Sequence, residues 1–170
     1  MRLLLLFLAA CGVESPEEAS AWDDSLAARV PPAIRGCGDA TIAASNLSDT
    51  RALFLNLPGI VGAAHSAGGP ITLTRQLPDP AVSLTLQAGQ RLTSATCVGA
   101  FPFPGPTVYG EASVASGQIV VTATPTGGPL GQTATLDVQL TGLTFVTPAG
   151  VALRPGDVEL MNVDVGLYPP

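Results

Sequence analysis

From Cys37 onward the chain alternates apolar and polar residues with a period of two, the signature of strands that bury one face and wet the other. Leu53, Leu55 and Leu57 share one side of the segment Arg51 to Leu57. Ile71 and Leu73 alternate with Thr72 and Thr74, and Val82, Leu84 and Leu86 alternate with Ser83, Thr85 and Gln87. The same reading predicts strands over Thr41 to Ala44, Leu92 to Val98, Val108 to Val114, Ile119 to Thr124, Thr133 to Phe145 and Val158 to Leu167. Pro and Gly clusters such as Leu57-Pro58-Gly59, Gly68-Gly69-Pro70 and Gly127-Gly128-Pro129 punctuate them. Ala115-Ser116-Gly117-Gln118 reads as a hairpin connection, because Gly117 tolerates positive φ. Gly142 shifts the phase so that Leu143 and Phe145 continue the inward row of Leu136, Val138 and Leu140. The last strand also changes phase, which predicts a bulge near Met161-Asn162. About eight or nine short strands without helical periods between them predict an all-β fold, an antiparallel two-sheet β-sandwich over residues 34–170, with a closed small barrel as the alternative.

Composition agrees with this pattern and removes whole classes of function. The 170 residues include 19 Gly and 16 Pro, while 12% are charged and 5% aromatic. All seven basic residues are Arg. A chain without Lys has no Walker A lysine, no Schiff-base lysine and no polybasic surface, and a net charge of −6 disfavours nucleic acid. No cofactor-binding pattern is present, and no cofactor is expected.

The N-terminus differs from the rest. Met1-Arg2 precedes the apolar run Leu3 to Leu8 and the small residues Ala9-Ala10. Taken by themselves these residues make an export signal or a buried N-terminal helix, too short to span a membrane. Leu8-Ala9-Ala10-Cys11 resembles the lipobox of bacterial lipoproteins. The resemblance implies cleavage of residues 1–10 and acylation of Cys11, with a membrane partner reached through that lipid anchor. It also implies an exported protein of the cell envelope, and Gly12 after the cysteine points to outer-membrane sorting. Residues 11–33 then form a tether rich in Glu14, Glu17, Glu18, Asp23 and Asp24. Ser15-Pro16-Glu17-Glu18 has the form of a capping box, so a short helix over about 16–29 is expected before Val30-Pro31-Pro32. Trp22, Leu26 and Val30 would share one stripe of it.

With Cys11 assigned to lipid, Cys37 and Cys97 remain as an even pair for an oxidising compartment and are expected to form one disulfide. Neither Cys-x-x-Cys nor a second His is present to build a zinc set.

Catalytic chemistry finds little support. Ala64-His65-Ser66-Ala67-Gly68 resembles the Ala-x-Ser-x-Gly nucleophile elbow of lipases and esterases. It lacks a following helix and a distal His, so it reads as a flexible Ala/Gly loop with an exposed His65. Asp157 with Glu159, beside the turn at Pro155-Gly156, is the best calcium candidate, although no Asp-x-Asp-x-Asp-Gly loop occurs. Glu111 alternates with Tyr109 and Ser113 on one strand face, a weak ligand-site pattern. Phe101-Pro102-Phe103-Pro104-Gly105-Pro106 is stiff and apolar. It either caps the core with both rings or presents Phe101 and Phe103 to a protein or glycan partner. The sequence therefore predicts a non-catalytic envelope lipoprotein with a structural or binding role. A calcium-stabilised adhesion-like or carbohydrate-binding module is the alternative, and an enzyme of unrecognised type is a more distant one.

Overall fold

The computed structural model of the chain describes residues 33–97, 104–128 and 131–166. The expected signal segment, the acylation candidate Cys11, the helix expected in the tether, Phe101 and Phe103 lie outside the described residues. The elements are β1 (Ala33–Cys37), β2 (Thr41–Ser45), β3 (Arg51–Asn56), α1 (Ile60–Ala67), β4 (Ile71–Leu77), β5 (Ser83–Gln90), β6 (Thr107–Gly128), β7 (Gly131–Val146), β8 (Ala152–Leu153) and β9 (Val158–Gly166).

The fold is all-β, with nine antiparallel strands in one continuous sheet. The order β1-β2-β3-β5-β6-β7-β8 forms one path, while β4 joins the second half of β6 and β9 joins the first half of β7. Both long strands therefore serve two arrays. Their inward rows, including Ile42, Leu55, Leu84, Val121, Leu136, Leu140 and Leu160, merge into a single aliphatic core. The sheet rolls until β1 lies beside β9, with a bridge between Gly38 and Gly166. A Cβ on Gly36 would stand 2.3 Å from the carbonyl oxygen of Asp164 and within 2.9 Å of the Val163 and Val165 methyls. Glycine thus lets the two ends of the sheet meet. Gly36→Ala is expected to cost about 1–3 kcal/mol in urea denaturation, as overpacking does, whereas Gly127→Ala meets nothing within 4 Å and serves as the control.

Two phase changes read from the pattern are present. Leu136 pairs with Val163 and Val138 with Leu160, so β9 carries one extra residue at Met161-Asn162. Asn162 takes a left-handed φ of 56°, and its amide donates to the Asp137 carboxylate at 2.8 Å. Leu140, Leu143 and Phe145 are all buried across the shift at Gly142.

Four expectations are corrected. Val108 to Val114 and Ile119 to Thr124 are not hairpin partners but parts of the single 22-residue strand β6. Gly117 sits at an irregularity between β6 and β7. Its missing side chain makes room for Leu143, whose methyl would lie 2.8 Å from a Cβ there. The hairpin that the sheet uses joins β6 to β7 after Gly127-Gly128. Leu92 to Cys97 is not a strand but a run of turns, because Arg91 turns left-handed (φ 53°) and the Asp49 carboxylate accepts from Thr93 N at 3.1 Å. Ala33–Cys37, where the sequence reading named no strand, form the strand β1. Finally, Ala64 to Ala67 belong to α1 and not to a loop.

Candidate functional site

Helix α1 exists because its first turn is capped from a distance. Leu57-Pro58 ends β3, Gly59 reverses the chain with φ 83°, and the Asp39 carboxylate accepts from the amides of Gly59 and Val61. A carboxylate at a helix N-terminus satisfies amides that the helix cannot pair and opposes the positive end of its dipole. Ile60, Val61 and Ala64 fall at the spacing of one helical face and are buried in the core. At the other end the His65 ring is half-buried, and its Nε2 donates to the Thr133 carbonyl at 2.7 Å. That bond ties the helix to β7 and corrects the expectation of an exposed loop histidine. Ser66 lies in the last turn of α1, not at a strand-to-helix elbow. Asp39→Ala is expected to lower stability by about 1 kcal/mol through the lost cap, read as a shift of the urea midpoint with unchanged m-value.

The helix leaves a cleft beside β4. Strands β5 and β4 run in line along the same edge of β6, joined by the loop 78–82. Strand β3 pairs with β5 only as far as Asn56 opposite Ser83. Where β3 would have continued along β4 the chain turns into α1, so β6 is β4's one strand partner among the described residues. The resulting cleft, about 230 Å³, is walled by Leu57, Ile60 and Ala63 on one side and by Ile71, Leu73 and Arg75 on the other. Its walls are aliphatic apart from Arg75. That side chain is 47% exposed and forms a 3.6 Å ion pair with Asp79. A second hollow of about 120 Å³ lies at Gly38, Asp39, Val61, Gly62 and Gln132. Both are smaller than the roughly 300–1,000 Å³ of small-molecule sites, but the first has room for a large side chain.

The Cys37–Cys97 disulfide is present, with Cα atoms 5.4 Å apart. Cys37, Arg35 and Ala33 point away from the core, since Ile34 pairs with Ala44 and Gly36 with Ile42 on the inward side. The turns at 92–97 thus form a strap. It leaves β5, is held at its start by Asp49, and crosses to β1 over the outer face of the sheet. Ala43, Ser45 and Ala52 are buried on that face.

The remaining sequence candidates are dispersed. Asp157 accepts from Gly142 N at 3.0 Å, and Glu159 stands opposite Gln139 on the outer face of β9. Among the described residues no three His, Cys, Asp or Glu side chains converge. Glu111 accepts from the Gln87 amide at 2.7 Å, and Tyr109 is exposed on the same strand. The sequence pattern singled out Leu57, Ile71 and Leu73 only as inward strand positions, and it did not single out the cleft itself. The available signal was Ile60-Val61 with Ala64 between Gly59 and Gly68, a helical spacing in a run too short to stand out against the strands. No protein-family model, curated protein or solved structure matches the chain.

Proposed function

We propose that this chain is a non-catalytic lipoprotein of the cell envelope, held at a membrane through acylated Cys11 and presenting one disulfide-fastened β domain with a structural or binding role. The observation that carries the reading is the Cys37–Cys97 disulfide. Such bonds persist in exported proteins and are rare in a reducing cytosol, which agrees with an export signal ending in Leu8-Ala9-Ala10-Cys11. The site chemistry supports binding over catalysis. Among the described residues the one polar side chain lining the larger cleft is the ion-paired Arg75, and among them His65 and Ser66 have no triad partner at their helix end. An apolar cleft beside a strand edge with no second strand partner among the described residues suits contact with another polypeptide.

The test is detergent-phase partitioning of the chain expressed with its own N-terminus. The wild type is expected in the detergent phase and Cys11→Ser in the aqueous phase, because acyl chains contribute about 0.8 kcal/mol per buried CH₂. Wild type and variant together in the aqueous phase would remove the anchor from the reading.

A further inference from the structure

We propose that the cleft between α1 and β4 is the docking site of the chain's own acidic N-terminal segment, with Trp22 entering the cleft and Asp23 and Asp24 meeting Arg75. Three observations converge on this occupant. The cleft is apolar, holds about 230 Å³ and carries one charged lining residue, Arg75, half-exposed at its mouth. It therefore fits one large apolar side chain flanked by carboxylates. The chain contains a single Trp, and Asp23-Asp24 follow it directly.

Reach permits the contact. The described structure begins at Ala33, which pairs with Ser45, while the cleft begins at Leu57, beyond the Asn56 end of β3. Five residues along the sheet and two strand spacings across it separate the two points, about 20 Å. With the expected helix kept through residue 29, residues 22–29 rise about 10 Å and the extended steps from 29 to 33 add about 13 Å, which still spans the distance. The walls also discriminate against a second copy of the chain. If β4 paired with another β4, the second molecule's own sheet would follow immediately beyond it, where Ile60 and Ala63 of α1 already form the opposite wall. A single narrow segment avoids that collision.

Docking would fix the domain at residue 22 and leave residues 12–21 between it and Cys11, at most about 36 Å of chain. The proposal does not require the lipid, since it concerns contacts within one polypeptide.

Because Trp22 is the one tryptophan, fluorescence of the full chain reports on it directly. The emission maximum and acrylamide quenching are measured for the wild type, Arg75→Glu, Asp23→Arg/Asp24→Arg, and the combined charge swap. A shielded, blue-shifted indole is expected in the wild type. Each single-sided charge reversal should lower the docked-to-free ratio by about fivefold, the upper range for an exposed ion pair, and the swap should restore it. The Asp23→Arg/Asp24→Arg variant leaves the β domain untouched, so its result stands whatever Arg75→Glu does to folding. An indole fully open to quencher in the wild type overturns the proposal. So does equal shielding in all four proteins, which would place Trp22 in detergent or elsewhere on the domain. Shielding that grows with protein concentration would assign the contact to a neighbouring molecule and overturn docking within one chain.

Discussion

Replacing both bridge cysteines, Cys37→Ser with Cys97→Ser, is expected to lower the unfolding free energy by about 4 kcal/mol, the loop-closure value for a crosslink of this span. The two residues are 60 apart in sequence, so the bond removes a large share of the unfolded chain's freedom. Domains of this size are stable by only about 5–15 kcal/mol. In the native state the same bond fixes the strap at 92–97 to β1, across the face that buries Ala43, Ser45 and Ala52. Losing it should therefore act in two places. Urea denaturation should show the global loss, and hydrogen exchange should show early opening of the strap and β1. The amides of β6 and β7, which pair with each other along most of their length, should keep their order of protection. A loss of unfolding free energy below about 1 kcal/mol would mean that the unfolded chain is already constrained, contrary to the entropy argument.

Phe145→Ala is expected to cost about 3–5 kcal/mol, the range for a fully buried phenylalanine. The ring is completely enclosed and is the largest fully buried side chain among the described residues. It lies on β7 opposite Val114 of β6 and Leu153 of β8, just past the irregularity where Leu143 crosses Gly117. Met161→Ala, on the exposed side of the β9 bulge, should stay within about 0.5 kcal/mol. Equal effects of the two substitutions would show that the inward assignment of the β7 row is wrong.

The alternation along the chain made the inward and outward rows of β3, β4, β5, β7 and β9 legible, because a half-buried strand records its faces in its sequence. It also exposed the phase changes at Gly142 and at Met161-Asn162, where an added or skipped residue leaves a visible slip. Connectivity was harder to read. Gly117 looks the same in a hairpin as in a bent strand, and only the partner, Leu143 at close approach, distinguishes them. Thr93 and Leu92 have strand-like neighbours, but Asp49, more than forty residues earlier, captures the Thr93 amide and turns the chain. Helix α1 depends in the same way on Asp39 at a distance. The cleft follows from that helix and from where β3 stops, so it could not be seen until both were placed. The disulfide was legible by counting, given the lipobox resemblance that set Cys11 aside.

The most direct test of an exported, lipid-anchored and disulfide-fastened domain is peptide-mapping mass spectrometry, without reduction, of the protein recovered from its native membrane fraction. The expected result is an acylated Cys11 at the N-terminus, absence of residues 1–10, and a crosslinked pair of peptides carrying Cys37 and Cys97. An N-terminus at Met1 with an unmodified Cys11 and free thiols at Cys37 and Cys97 would contradict it.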